Sequence, residues 1–219
     1  MTKKPEKKAP AGAYRAVRDP ERTRALILAA AAGEFAEKGI GGARVDAIAD
    51  RAGTNKRMLY HYFGDKEGLY VAVLENAYAA IRSAEHALDL AHRPPAEGLR
   101  ELALFTWRYF LKNPEFLSLL GTENLHGARY LKRSARVLDM HSNLQAELAE
   151  VLRRGEADGS FRAGNDPVEV YVTIAALCFF YLSNRHTLSV IFDRDLTDPA
   201  HIASWEERVV ATTLASVRA

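Results

Sequence analysis

The strongest constraint on how this chain folds is a pair of short apolar patterns set back to back across one glycine. Val45, Ile48, Ala49 and Ala52 recur at the i, i+3, i+4, i+7 spacing of a single helix face, and Gly53 ends the run. Asn55 is a good N-cap acceptor, and Leu59, Tyr62 and Phe63 fall on one side of the helix it opens. Neither helix is long enough to stand alone in water, so each must bury its apolar face against the other and against longer neighbours. Two short helices joined by a tight glycine turn have the geometry of a helix-turn-helix, whose second helix enters the major groove of DNA.

The outer face of the second helix agrees with that geometry. Leu59 and Phe63 point one way, Arg57 and His61 the other, with Met58 and Tyr60 flanking them. Lys56 stands at the helix start, where its side chain and the backbone N–H groups approach a phosphate together. Arg57 can donate a bidentate pair to guanine, and Tyr60 and His61 reach phosphate or base edge. Lys66, at the start of the fourth helix, adds a cation facing the DNA backbone. Charge is partitioned to match. Residues 1–66 carry 14 lysines and arginines against 8 acidic residues, a net of +6, whereas residues 67–219 carry 16 against 20, a net of −4.

Along the rest of the chain the periodicity is helical throughout, with no alternation at period two and no internal repeat. Asp19-Pro20 starts a first helix that runs to Lys38 and stops at Gly39, with Ile27, Ala31 and Phe35 stacked on one face. Gly64-Asp65 breaks the third helix and caps a fourth, expected from Lys66 to about Ala91, where Pro94-Pro95 ends it. Further helices are expected over Ala96–Lys112, Glu115–Asn124, Ala135–Ala157 and Pro167–His186, and a last one begins at Asp198-Pro199. The expected division is a flexible basic arm over 1–20, a DNA-binding domain over 21–81 and a regulatory domain over 82–219. The Lys-rich arm has two readings, a solvated tail or a segment that contacts phosphates or the minor groove.

Cys178 is the only cysteine, so no internal disulfide forms, and a reducing cytoplasm is the expected location. The apolar stretch Ala25–Gly33 continues into an amphipathic helix rather than a cleavage site, which argues against a signal peptide. No apolar run approaches the roughly 18 residues needed to cross a bilayer, so no membrane partner is expected.

Three runs together, Ile27-Leu28-x-Ala30-Ala31-x-x-x-Phe35-x-x-x-Gly39, Ile48-Ala49-x-x-Ala52-Gly53, and Leu59-Tyr60-x-Tyr62-Phe63-x-x-Lys66-Glu67-x-Leu69, resemble the N-terminal signature of the TetR family of bacterial regulators. The resemblance covers about 45 residues without gaps; beyond them the chain is similar to the family in layout only. It implies an all-α fold, with an N-terminal three-helix helix-turn-helix DNA-binding domain and a larger C-terminal helical domain for ligand binding and dimerisation. It also implies a homodimer built on the last two long helices, a palindromic double-stranded DNA operator, and repression relieved by a small-molecule inducer; activation is the alternative. Position by position, the expected DNA contacts are Arg44, Asn55, Lys56, Arg57, Tyr60, His61 and Lys66. The chain departs from the family pattern in three places. Ala43 and Arg44 replace the small hydroxyl residues usual before the second helix, Arg57 stands where a small residue is common, and Glu34 replaces a common leucine, which suggests a solvated edge there.

Other constellations are weaker. Glu123 and His126 at i, i+3 resemble half of a carboxylate-bridged metal site, but no second copy follows, so an inter-helix hydrogen bond or a cap is the expected role and no metal or cofactor is expected. Tyr171–Leu182 is apolar nearly all round, which fits either a helix shared between a pocket wall and a dimer contact or the central core helix of a monomer. Trp107, Phe110, Asn124, Tyr171 and Cys178 are the candidates for lining a ligand cavity, as large or polar residues inside otherwise apolar helices. No nucleophile with a positioned base stands out among Cys178 and the histidines, so an enzyme is not expected; a sequence-indifferent DNA-coating protein is the other rival.

Overall fold

Asp-Pro pairs set the start of three helices, at Asp19-Pro20, Asp166-Pro167 and Asp198-Pro199. In each, the aspartate side chain accepts from the exposed first-turn N–H groups, while proline occupies a position that has no helical hydrogen bond to lose. The computed structural model describes residues 19–218, the side chains of His141 and Ser142 left aside, so all but the last two residues of the expected arm fall outside the described residues. The helices are α1 (Pro20–Gly42), α2 (Val45–Arg51), α3 (Lys56–Phe63), α4 (Lys66–His86), α5 (Pro95–Lys112), α6 (Pro114–Leu125), α7 (Ala135–Ala157), α8 (Pro167–Ile191) and α9 (Pro199–Val217). Among the described residues there is no strand.

Two apolar cores organise them. The first joins α1, α2, α3 and the first half of α4 through Ile27, Phe35, Ile48, Leu59, Leu69 and Leu74, each almost fully buried. Leu119 of α6 and Tyr130 complete it from outside the helix-turn-helix, Tyr130 setting its ring edge-on to Tyr70 with centroids 5.2 Å apart. The second core is built around α5, which packs against α7, α8 and α9 through Leu99, Leu102, Trp107, Ile174, Cys178 and Val209. Each fully buried side chain of this size contributes about 2 kcal/mol of transfer free energy. The long α4 runs through both cores, giving Leu69 and Leu74 to one and Tyr78 and Ile81 to the other.

Four sequence expectations need correction. The fourth helix ends at His86 rather than near Ala91, because Asp89 turns left-handed (φ 53°) and a single 3₁₀ turn, Leu90–His92, drives Leu90 into the second core. Arg154 of α7 holds that turn by donating to the Leu90 and Arg93 carbonyls, both at 2.8 Å. The helix expected to stop at His186 continues to Ile191, since residues 187–191 contain neither glycine nor proline. By length and composition α8 is also apolar enough to span a bilayer, with a mean hydropathy of 1.3 over its best window. Counting runs missed this because Glu169, Thr173 and residues 183–187 interrupt the apolar stretch, whereas a window average tolerates a few polar residues. Finally, Glu34 is 1% exposed and so is no solvated edge.

Candidate DNA-binding surface

The α2–α3 turn is fixed by local hydrogen bonds. Gly53 takes φ 63°, a conformation favouring glycine, while its N–H donates to Asp50 and the Thr54 N–H to Ala49 at 3.0 Å. Asn55 then caps α3, its side chain accepting from the Met58 N–H at 3.2 Å. With Leu59 buried, Arg57, Tyr60 and His61 are left exposed on the outward face, and Tyr62 and Phe63 are half-buried, the Arg24 guanidinium lying 5.4 Å from the Phe63 ring centre. Lys56, also exposed, lies 3.0 Å from Asp46 of α2, and this partner raises its pKa, keeping it charged.

The corner into α4 is equally specific. Asp65 caps α4 by accepting from the Gly68 N–H at 2.6 Å, and Lys66 donates to the Gly41 carbonyl at 3.3 Å. A Cβ at Gly68 would lie 2.2 Å from the Phe63 carbonyl oxygen, so only glycine lets α3 and α4 meet here.

Arg44 is the N-cap residue of α2 and makes no side-chain cap, consistent with the missing hydroxyl. Glu34 substitutes from α1. Its Oε1 accepts from the Arg44 N–H at 3.2 Å and from Lys38 Nζ at 2.8 Å, and its Oε2 lies 3.4 Å from Arg51 Nη1. The Lys38 hydrogen bond, helped by the Arg44 N–H, holds this carboxyl below the usual range despite burial. Glu34 therefore ties both ends of α2 to α1, which the substitution pattern alone did not suggest. The turn thus gathers the exposed Arg44, Asn55, Lys56, Arg57, Tyr60 and His61 and the half-buried Lys66 around one α3-centred surface.

The five cavity candidates do not gather in this way. Trp107 is fully buried, edge-on to Tyr181, and its Nε1 has no hydrogen-bond partner. Phe110 packs against Phe116 at 5.7 Å, and burial pushes the Cys178 thiol up to about 12, leaving it an inert hydrophobe. Asn124 is exposed and donates back to Leu120 of its own helix. Tyr171 alone meets a buried polar cluster, its hydroxyl accepting from Arg82 at 3.0 Å beside Glu85. Arg82 and Glu85 were missed because, at i, i+3 on α4, they read as an ordinary surface pair. Glu123 is buried and accepts from the Leu131 N–H at 2.9 Å, His126 bonds the Thr122 carbonyl, and among the described residues no three potential ligands are grouped to hold a metal.

Known proteins agree with this arrangement at both ends of the chain. Residues 27–73 match the family model described as bacterial regulatory proteins, tetR family, and residues 95–213 match that of the tetracyclin repressor-like C-terminal domain. The HTH-type transcriptional repressor NicS of Pseudomonas putida is 40% identical over 185 residues, covering 84% of this chain and 87% of that protein. The HTH-type transcriptional repressor SCO4008 of Streptomyces coelicolor is 36% identical over 146 residues, 64% of this chain and 70% of its own. Among solved structures, the protein SCO4942 of Streptomyces coelicolor superposes with a TM-score of 0.68 at 27% identity, covering 89% of this chain and 98% of that one. With a capped recognition helix exposing cations and hydrogen-bonding groups at one end and a matching helical domain at the other, this chain belongs to the TetR family of DNA-binding transcriptional regulators.

Proposed function

We propose that the protein is a repressor that binds an inverted-repeat operator as a homodimer and leaves it when a small molecule enters the regulatory domain. The observation that carries this reading is the α3 face, where Arg57, Tyr60 and His61 stand exposed over a buried Leu59. Arg57 reads a guanine edge; Tyr60 and His61 reach bases or phosphates; Arg44, Asn55, Lys56 and Lys66 fix the register through phosphates. Residues 21–81 serve as the DNA-binding unit and 82–219 as the regulatory unit, with the protein acting in the cytoplasm.

Dimerisation is supported by α8, whose Val168, Val172 and Phe180 form an exposed apolar stripe at 49%, 56% and 59%. A second copy covers the stripe and holds the two α3 helices about 34 Å apart, one turn of DNA. An inducer shifts the balance only by its difference in affinity between the DNA-compatible and spread conformers. The repressor names borne by NicS and SCO4008 favour repression over activation.

Footprinting on the DNA flanking the protein's own gene tests the reading. A protected inverted repeat is expected at moderate salt, and Arg57→Ala is expected to weaken it about ten- to hundred-fold while sparing binding to scrambled DNA. Equal weakening on both DNAs indicates phosphate binding alone.

A further inference from the structure

The regulatory domain is acidic as a whole, yet the connector from α6 to α7, which meets the head, is basic. Residues 126–136 contain Arg129, Lys132, Arg133 and Arg136 and no acidic residue, while the rest of 67–219 holds 12 lysines and arginines against 20 acidic residues. All four cations are exposed. The connector is anchored from beneath: Tyr130 is buried against Tyr70, the Leu131 N–H donates to the buried Glu123 at 2.9 Å, and Ser134 Oγ donates to Glu75 at 2.7 Å. Its backbone is thus held down, and the charged side chains are left to face water. Contacts along α4 climb in order from there. Arg133 Nη1 lies 2.7 Å from Glu67, Ser134 meets Glu75, and His86 at the other end of α4 meets Glu147. The connector therefore reaches the first turn of α4, the turn that begins with Lys66.

We propose that this connector is a second DNA contact, in which Lys132 and Arg136, with Arg129 and Arg133 beside them, bind backbone phosphates of the same duplex that α3 enters. Glu67 directly follows Lys66, so the turn that presents Lys66 to the DNA backbone also carries the carboxylate on which Arg129 and Arg133 converge, at 3.5 and 2.7 Å. One carboxylate does not neutralise two guanidinium groups. Arg136 stands 4.0 Å from Glu75, at the limit of an ion pair, and among the described residues Lys132 pairs with no carboxylate. Ion pairs this exposed are weak and screened by salt, so they do not hold the side chains back from a phosphate, which a guanidinium also fits bidentately. DNA is the favoured polyanion because the connector lies beside the turn that bears Lys66. The contact adds affinity without sequence preference, since phosphates carry no sequence information. The inference rests on the reading that Lys66 and the α3 face meet DNA, and extends that surface from the head into the regulatory domain.

The test measures, by fluorescence anisotropy, how salt weakens binding of the full-length protein to a scrambled duplex of about 40 base pairs, because phosphate contacts are blind to sequence. Lys132→Gln/Arg136→Gln removes two charges while leaving the bonds of Arg129 and Arg133 to Glu67 in place. The slope of log K against log salt is expected to fall by about 2 if one protomer's connector reaches the duplex and by about 4 if both do, with binding at least about ten-fold weaker near 0.1 M salt. Arg100→Gln/Arg162→Gln removes the same charge from exposed positions beyond the far end of α4, and is expected to change the slope by less than about 0.5. On the operator the connector variant should lose the same factor as on scrambled DNA, whereas Arg57→Ala loses preference. Should the double variant not fold, Lys132→Gln alone is measured, with half the change expected. A slope equal to that of the parent or of the control overturns the proposal. So does unchanged DNA affinity in a variant that no longer binds phosphatidylglycerol vesicles held by the parent, which makes the patch a lipid contact. Neither result touches the footprint: a clean operator with an unchanged slope removes only the connector contact, whereas a lowered slope without an operator removes only the sequence-specific reading.

Discussion

Glu85 shows how far a single residue's behaviour depends on distant packing. Burial pushes its carboxyl up to about 7, against the lowering influence of Arg82 and with a further rise from Glu147. The ordinary carboxyl value of 4.5 holds in the unfolded chain, so the folded state binds the proton more tightly. The stability this contributes is fully present below about pH 4.5 and is lost as pH rises through about 7. Urea unfolding from about pH 5 to 8 should therefore show a falling contribution, at most about 3 kcal/mol over the full range, that Glu85→Gln removes. An unchanged pH slope in the variant contradicts this. Cys178 gives a second readout: with its thiol buried and raised to about 12, a thiol reagent near neutral pH should label it only as fast as the protein unfolds. Its burial was legible in the apolar run around it, whereas that of Arg82, Glu85 and Glu34 was not. A charged residue at helical spacing looks solvated until another element closes over it, as α7 and α8 close over Arg82, and Arg44 and Arg51 over Glu34.

At the scale of elements, the helix-turn-helix was readable because every signal in it is local. Gly53, Asn55, Asp65 and Gly68 each act within a few residues, so their roles follow from spacing. Gly68→Ala tests the tightest of them. Its methyl would meet the Phe63 carbonyl, backbone that cannot swing aside, and the α3–α4 corner must open. A loss of about 2 kcal/mol in thermal or urea unfolding is expected, with weaker operator binding than the stability loss alone explains. Gly121→Ala is the control, because nothing lies within 4 Å of its new methyl. Helix ends were legible only where local stops exist. The end of α4 depends on Arg154, 61 residues beyond Arg93, donating to a turn that no short-range pattern marks.

Across the whole molecule, the all-helical layout and the order of helices were readable, but not the seating of residues 126–136 on α4, because contact between distant segments leaves no local pattern. The exposed stripe of α8 likewise could be seen as apolar but not as outward-facing. Phe180→Asp, on that stripe, should shift the protein from dimer to monomer in sedimentation velocity and abolish half-site cooperation on the operator. A variant that stays dimeric with unchanged cooperation places the interface elsewhere. The seam between the two cores matters to anyone recombining regulators. Because Leu119 and Tyr130 plug the core of the helix-turn-helix, the head is not a cassette that can be cut at residue 81 and transplanted onto another body. A working chimera has to carry those two side chains, or rebuild their shapes, in the recipient.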